Sequence, residues 1–281
     1  MFKRAAKKAR FSWDLMKAAA RAASLNPVTF CPALVRAARL CRRGRFTPAE
    51  AFRLGLLVPA GDQEDRFPVV SRKCLTKLQK SLNPEQAAPT ARNKVNFYRH
   101  CEAVGLAVPA NFAVLLPGAS STSTDGSVLT GRDDWLRLLS ESLPDKFVAK
   151  PAEGALGRGI GIFTRRGRVF HDALGGAFSE AELYDRLAAE AGQSGMILQE
   201  RLTSHPELVR LSDTPYLQTL RVITLLDDRE SCQILHAHLK VIVDEHVLDN
   251  SRHDEPTSGV RAAVDIETGR LLRAVQTPGT R

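Results

Sequence analysis

The spacing of apolar residues in the first part of the chain predicts two amphipathic helices. One covers residues 3–25, where Phe11, Leu15 and Ala18 follow intervals of four and three. The other covers residues 32–43, and its apolar stripe consists of Leu34, Val35, Ala38 and Cys41. These intervals put the apolar side chains of each helix on one face. We therefore expect a helical N-terminal region.

Capping signals add further helices and a domain boundary. The segment Thr47–Glu50 is a capping box with a proline at the first helical position, which predicts a helix start. Another helix is expected over about residues 70–81. The proline-bounded stretch 84–89 has the composition of a linker. It divides the chain into a basic helical region, residues 1–88, and a second domain, residues 89–281.

Beyond this boundary the pattern changes to a mixture of helix and strand. Helices are expected from Thr90 to about Val104, over residues 133–143 and over residues 180–191. In other stretches apolar and polar residues alternate, as in half-buried strands. These strand candidates are residues 106–116, 196–202, 219–226, 234–243 and 260–266. The strands form hairpins rather than regular βαβ units, so the expected fold class is α+β.

Composition limits the classes of protein that remain. The chain has 43% hydrophobic and 25% charged residues, which is ordinary for a globular protein. No run of about 18 apolar residues occurs, so no transmembrane helix is predicted. The five cysteines are scattered and odd in number, which favours reduced thiols in the cytoplasm over a disulfide framework.

Basic residues are concentrated at the start of the chain. The first 50 residues contain twelve Lys or Arg and two acidic residues, whereas the whole chain has a net charge of +9. Residues 1–45 therefore suit contact with an anionic membrane surface, which would make the protein peripheral at the membrane. A solvated helical face or a mitochondrial transit peptide gives the same pattern. Nucleic-acid binding is not expected, because few aromatic residues are interleaved with the basic ones.

A glycine-rich turn between two apolar runs is the most informative chemical signal. A short strand ends in Lys150, and Gly154, Gly157 and Gly159 precede a second apolar strand. Glycines let backbone N–H groups approach an anion, and the lysine adds a positive charge, which predicts a phosphate clamp on a β-hairpin. The lysine precedes the glycines and no helix follows, unlike a P-loop or a Rossmann turn. An ordinary hairpin with a mobile turn is the alternative.

Two later strands carry polar side chains among apolar ones. Arg221 lies within Thr219–Ile223, so it is expected to face a cleft or the interior and to need an anionic partner, either a ligand or a structural carboxylate. His236, His238 and Lys240 are two positions apart, so they should share one face of a strand. That face could contact substrate. A His-x-His metal site is the alternative, but it lacks an evident third ligand.

Six motifs between residues 90 and 272 occur in a specific order. They are Asn93-Lys94, Lys150-Pro151 with the Gly154–Gly159 turn, Leu198–Leu202 with His205-Pro206, Leu217–Val222, Leu248–Asn250 and Ala263–Gly269. Together they resemble the ATP-grasp superfamily, and most closely its sugar-transfer-associated or α-L-glutamate-ligase-related branch. The resemblance implies an ATP-grasp fold, in which two α+β subdomains clamp ATP, after the helical N-terminal region.

The resemblance also implies roles for the residues that match its motifs. The ATP-binding residues would be Lys94, Lys150, Glu153, Gly154, Gly157, Gly159, Gln199, Glu200, Arg201 and Leu202. The two lysines would meet the phosphates, and residues 199–202 would meet the adenine and ribose. Arg221 and Lys240 would be catalytic, the arginine at the transferred phosphoryl group. The implied enzyme joins a carboxylate substrate to an amine through an acyl phosphate, with ATP and Mg²⁺, in the modification of a cell-surface polysaccharide or peptide.

The chain departs from the family at the metal site. A Glu-x-Asn pair that holds Mg²⁺ in the family is absent, and the sequence ends soon after Gly269. The nearest candidate metal ligands are Asp249, Asn250 and Asp265. We therefore expect that the C-terminal part of the fold is truncated, or that the protein is a non-catalytic nucleotide-binding or membrane-associated adaptor.

Overall fold

The structure is a computed structural model that describes residues 2–25, 29–58, 69–116, 118–154, 157–243 and 259–276. The chain forms two compact units, one within residues 1–88 and one within residues 89–281. In the described ranges, no helix combines the length and the apolar character needed to cross a bilayer.

The first unit is helical. Its helices are α1 (Phe2–Leu25), α2 (Phe30–Arg43), α3 (Pro48–Arg53) and α4 (Arg72–Leu82). Its buried core is rich in alanine and consists of Ala18, Ala19, Ala22, Ala33, Ala37, Phe46, Ala51 and Leu57. Phe11 and Val35 belong to the predicted apolar stripes, yet they are 45% and 62% exposed. The other stripe residues behave as predicted, because Ala18 is buried and Leu15 and Leu34 pack against this core. Alanines supply most of the buried side chains, which permits close approach of the helices.

The predicted capping box at the start of α3 is present. Thr47 Oγ1 accepts a hydrogen bond from the Glu50 amide at 3.2 Å, and Glu50 Oε2 accepts one from the Thr47 amide at 3.3 Å. The other carboxylate oxygen, Oε1, accepts from the Arg72 amide at 2.5 Å. One carboxylate thereby ties the start of α3 to the start of α4, since both helices need acceptors for their first amides.

The second unit opens with two helices, α5 (Pro89–Arg92) and α6 (Lys94–Ala103), in place of the single helix predicted from Thr90. Asn93 separates them because it caps α6. Its Oδ1 accepts hydrogen bonds from the amides of Val95 and Asn96 at 3.0 and 3.3 Å. The cap starts a new helix at Lys94 and so fixes where this side chain emerges.

A six-stranded antiparallel sheet follows. Its strands in chain order are β1 (Asn111–Leu115), β4 (Lys146–Pro151), β5 (Gly161–Arg166), β6 (Val169–Asp172), β7 (Ala177–Phe178) and β8 (Met196–Glu200). The short strands β2 (Ser121–Thr122) and β3 (Val128–Leu129) form a separate hairpin between β1 and β4 in the chain. The order within the sheet is β1-β8-β4-β5-β6-β7. Helices α7 (Arg132–Arg137) and α8 (Glu180–Ala191) accompany it, and Phe147, Phe163 and Leu183 are completely buried in its core.

A second antiparallel sheet follows α9 (Pro206–Ser212) and consists of β9 (Thr219–Leu226), β10 (Cys232–Ile242), β11 (Gly259–Val264) and β12 (Leu271–Gln276). Its order is β12-β11-β10-β9. One face is apolar, where Leu239, Val241 and Ala262 are buried and Leu208 of α9 packs against them. The two sheets with their helices confirm the α+β class predicted from the sequence.

Candidate functional site

Lys94 is anchored on the turn that follows β4. Its amide donates to the Ala152 carbonyl at 2.8 Å. Its Nζ donates to the carbonyl oxygens of Pro151, Ala152 and Gly154 at 3.0, 3.4 and 3.3 Å. The start of α6 therefore packs against the beginning of the glycine-rich turn, and it places an ammonium group there.

Lys150 lies at the end of β4 and contacts the same helix. Its Nζ donates to the Tyr98 hydroxyl at 2.6 Å and lies 4.8 Å from the centroid of the Tyr98 ring. Tyr98 is four residues after Lys94, so both side chains project from one face of α6. The structure thus brings the two predicted phosphate-binding lysines to one place.

Burial and the nearby Lys150 both affect the pKa of Lys94. Burial lowers the pKa of Lys94, and the positive charge of Lys150 lowers it further, while the Glu153 carboxylate partly opposes both. Glu153 Oε1 also accepts a hydrogen bond from Asn93 Nδ2 at 3.3 Å. Within the described residues, neither Lys94 nor Lys150 forms an ion pair. Two adjacent cations of this kind repel each other and favour an incoming anion.

The glycine-rich turn adopts backbone conformations that favour glycine. Gly154, Gly157 and Gly159 have φ values of +129°, +73° and +70°. A Cβ atom on Gly159 would lie 2.8 Å from Cγ of Pro151, so the turn leaves no room for a side chain at that position. Residues 155 and 156 lie outside the described residues. The turn begins beside Lys94 and Lys150, and its role as a phosphate clamp stays a prediction.

The predicted adenine connector, residues 199–202, leaves the sheet beside β1. Gln199 is buried, and its Nε2 donates to the Pro109 carbonyl at 3.3 Å and to Asn111 Oδ1 at 2.8 Å. Glu200 Oε2 accepts from the Ala110 amide at 3.2 Å, and the Glu200 amide donates to the Ala110 carbonyl at 2.8 Å. These contacts fix the connector to the segment before β1.

The last two connector residues differ in their surroundings. Arg201 Nη1 donates to Thr164 Oγ1 of β5 at 3.2 Å. Leu202 lies beyond the strand and is exposed. Leu202 is therefore the apolar side chain of the connector that is accessible to a ligand.

The second sheet gathers basic side chains on one face. Arg221 pairs with His238 across β9 and β10, and Lys240 pairs with Arg261 across β10 and β11. Directly paired residues in an antiparallel sheet project to the same side. His236 also lies on this face, with its ring centroid 5.2 Å from that of His238. The shared face predicted from the spacing of two is therefore present, and Arg261 adds a further charge to it.

Burial differs across this basic face. Lys240 is buried, whereas Arg221 is exposed, which corrects the expectation that the arginine lies in the interior or a cleft. The reason is that β9 is the edge strand of the sheet. Nδ1 of His238 is buried and has no hydrogen-bond partner among the described residues. Burial lowers the pKa of His238, and the surrounding positive charges lower it further.

The candidate metal ligands do not form a metal site in the described residues. Asp265 Oδ1 accepts from the amides of Glu267 and Thr268 at 3.0 and 2.8 Å, so this carboxylate closes the β11–β12 turn. Asp249 and Asn250 lie outside the described residues. Elsewhere in the described ranges, no three His, Cys, Asp or Glu residues come together as metal ligands would. Asp265 alone, among the described residues, therefore does not form a Mg²⁺ site.

Two residues of this region were not predicted from the sequence. Tyr98 belongs to no motif, and its position one helical turn after Lys94 is the only signal that could have indicated it. Arg261 alternates with apolar residues in a predicted strand, but its neighbours depend on how β10 and β11 pair. Both become visible only when the strands and helices are assembled.

Comparisons with known proteins identify the family. A family model described as sugar-transfer associated ATP-grasp matches residues 73–279, which include Lys94, Lys150, Arg221 and Lys240. A search of curated proteins found no match. The matched region begins in α4 and extends through both sheets. The sequence motifs predicted this fold and its ATP binding. Since the match covers well over half of the chain, the protein belongs to the sugar-transfer associated ATP-grasp family.

Proposed function

We propose that the protein is an ATP-dependent ligase that joins a carboxylate to an amine through an acyl phosphate. The observation that carries this proposal is the pairing of Lys94 and Lys150 at the start of the glycine-rich turn. Carbonyl oxygens orient one ammonium group and the Tyr98 hydroxyl orients the other, and these partners are neutral. A triphosphate is an anion that such a pair can bind.

The proposed chemistry has two steps. A carboxylate oxygen of the substrate attacks the γ-phosphorus of ATP, the bond from this phosphorus to the β–γ bridging oxygen breaks, and ADP leaves. The amine nitrogen then attacks the carbonyl carbon of the acyl phosphate, inorganic phosphate leaves, and the amine proton passes to solvent. Lys94 and Lys150 neutralise charge on the phosphate oxygens in the first step.

The basic face of the second sheet supplies the remaining positive charge in this proposal. Arg221 would contact the transferred phosphoryl group, and Lys240 would orient the acyl phosphate. Residues 199–202 would bind the adenine and ribose. Mg²⁺ is typical of the family, and Asp249, Asn250 and Asp265 stay the candidate residues to hold it; when bound, it would neutralise charge on the phosphates.

Substrate and compartment are also part of the proposal. The family description refers to sugar transfer, which supports a carboxylate on a cell-surface polysaccharide or peptide as the substrate. All five cysteines are free thiols, which supports a reducing compartment such as the cytoplasm. We also propose that residues 89–281 form the ATP-grasp domain and that residues 1–88 are a separate helical region.

A second candidate function is nucleotide binding without catalysis. One observation favours it: the Asp265 carboxylate is engaged by the amides of its own turn rather than directed towards a metal. A protein of this kind would bind ATP through the same lysines and release no ADP.

Nucleotide binding is tested first by titration calorimetry with ATP. We expect Lys150→Met to weaken ATP binding roughly 10- to 100-fold, because a charge-assisted hydrogen bond to phosphate is lost. Lys146→Met is the matched control, since Lys146 is an exposed lysine at the other end of β4. Equal ATP affinity in Lys150→Met and wild type would refute the site.

Catalysis is tested by trapping the acyl phosphate with hydroxylamine. The trap is offered with ATP and either glutamate-containing peptides or oligosaccharides that carry uronic acids. The ligase proposal requires a hydroxamate in amounts equal to the ADP released. ATP binding without ADP release in the presence of both substrate classes would support the non-catalytic alternative.

A further inference from the structure

Helix α1 presents a basic face that includes a tryptophan. Arg10, Trp13, Lys17 and Arg21 follow intervals of three and four, and all four are exposed. We call these four residues the Trp13 face. On a helix with 3.6 residues per turn, they lie on the side away from the packed alanines Ala18, Ala19 and Ala22.

Trp13 is unusually accessible for a tryptophan. Its exposed fraction is 63%, whereas the second tryptophan of the chain, Trp135, is 3% exposed in the core of the other unit. Phe11 and Met16 of the same helix are also exposed. Helix α1 therefore packs through its alanines and Leu15 and leaves Trp13 in solvent on the other side.

Charge is segregated between the two units. Residues 1–88 contain eighteen Lys or Arg and six Asp or Glu, whereas residues 89–281 contain 22 and 25. Helix α2 repeats the pattern of α1, because exposed Val35 is followed by exposed Arg39 and Arg42 on the same side of the helix. The excess positive charge thus belongs to helices that also expose apolar side chains.

We infer that the Trp13 face docks on an anionic phospholipid surface. Lysine and arginine side chains bind lipid phosphates, and tryptophan favours the depth of the headgroups, where its ring is buried and its N–H can be hydrogen-bonded. Nucleic acid would neutralise the same charges but would leave Val35, which lies beside Arg39 and Arg42 on α2, in water. The inference does not depend on ligase activity.

The two tryptophans allow a direct experiment on the full chain. Vesicles of phosphatidylcholine, alone or with phosphatidylserine, are added while tryptophan fluorescence and co-sedimentation are measured. We expect binding and a blue shift of the emission only with phosphatidylserine. Trp13→Phe keeps Trp135 as the only tryptophan, so the tryptophan emission should not shift.

Charge variants test the role of the face itself. Lys17→Gln/Arg21→Gln should weaken vesicle binding roughly 30-fold, since each basic residue near an anionic surface contributes about a fivefold factor. Arg166→Gln/Arg168→Gln is the matched control, because it removes two exposed charges from the β5–β6 turn and should bind like wild type. Circular dichroism checks that α1 stays helical in every variant.

Three outcomes would overturn the inference. The wild type could fail to bind phosphatidylserine vesicles at low salt. The α1 variant could bind as tightly as the control variant, which would leave the Trp13 face without a role. An RNA or DNA oligonucleotide could bind while vesicles do not, which would identify a nucleic acid as the partner instead.

Discussion

Tyr98 and Lys150 meet where α6 packs against β4, and the Lys150 ammonium group donates to the Tyr98 hydroxyl at 2.6 Å. The same ammonium group lies 4.8 Å from the centroid of the tyrosine ring. A neutral partner orients a lysine without cancelling its charge, whereas a carboxylate would compete with an incoming phosphate. Tyr98 is therefore a positioning residue in the proposed site.

Replacement of Tyr98 by phenylalanine removes the hydroxyl and keeps the ring. We expect Tyr98→Phe to lower ATP affinity about two- to tenfold, which is the effect of one net hydrogen bond on a positioned group. Phe97→Leu changes an exposed neighbour on the same helix and should bind ATP like wild type. Titration calorimetry measures both variants. If Tyr98→Phe bound ATP as tightly as Phe97→Leu, the hydroxyl would have no positioning role.

A methyl group at Gly159 tests how tightly the glycine-rich turn is packed. Gly159 has a φ of +70°, and a Cβ atom there would lie 2.8 Å from Cγ of Pro151. Gly167 has a similar φ of +62° but an open environment, so Gly167→Ala carries the backbone strain without the clash. We expect both variants to lose about 1 kcal/mol of unfolding free energy from the strain.

The difference between these two glycine variants is the informative quantity. Gly159→Ala should lose further stability in urea unfolding, because the turn must shift away from Pro151. It should also bind ATP more weakly, whereas Gly167→Ala should bind like wild type. Equal stability and equal ATP affinity in the two variants would show that the Gly159 turn adjusts without cost.

Local signals in the sequence predicted much of this architecture. The capping box at Thr47–Glu50 and the glycine turn after Lys150 depend on neighbours within a few residues, so they could be read directly. The family motifs extended that prediction to both sheets. What the sequence did not indicate depends on packing between distant segments, such as the contact of Tyr98 with Lys150.

The exposure of Arg221 shows why burial was harder to predict. Its apolar neighbours Leu220 and Val222 suggested an interior strand, but β9 is the edge strand of its sheet and both neighbours are exposed. Edge strands and central strands can have the same alternation of apolar and polar residues. This alternation does not depend on where the strand lies within the sheet. Trp13 is exposed because it lies on the side of α1 away from the packed residues Leu15, Ala18 and Ala22.

Asp172 should make the stability of the second unit depend on pH. Burial raises the pKa of Asp172, but hydrogen bonds from Arg186 and from the amides of Gly176 and Leu174 outweigh it, so the pKa is lowered overall. Its Oδ2 accepts from Arg186 Nη1 at 2.8 Å. Because the unfolded chain then holds its proton more tightly, this contribution to stability is present above about pH 4 and is lost as the pH falls through the lowered pKa.

The variant Asp172→Asn tests that contribution. At neutral pH it should lower the unfolding free energy by about 1–3 kcal/mol, because Arg186 loses a buried ionic partner. Between pH 5 and roughly pH 3 its stability should fall less steeply than that of wild type. Asp185→Asn is the control, since Asp185 forms a solvent-exposed pair with Arg132. Parallel pH profiles for wild type and Asp172→Asn would contradict the prediction.

The pKa of His238 should change when a nucleotide binds to the basic face of the second sheet. Burial lowers its pKa most, and the positive charges of His236, Arg261, Arg221 and Lys240 lower it further. A bound triphosphate would offset those charges, so the pKa of His238 should rise when ATP binds. Binding would then be coupled to proton uptake, and ATP affinity should increase as the pH falls below about 6.5, the ordinary value for histidine.

This shift can be measured by following the histidine ring protons by NMR during a pH titration, with and without a non-hydrolysable ATP analogue. The resonance assigned to His238 by its loss in His238→Gln should titrate at higher pH in the complex. If His238 titrated identically while calorimetry showed the analogue bound, the triphosphate would lie away from this face and Arg221 and Lys240 would lose their proposed roles.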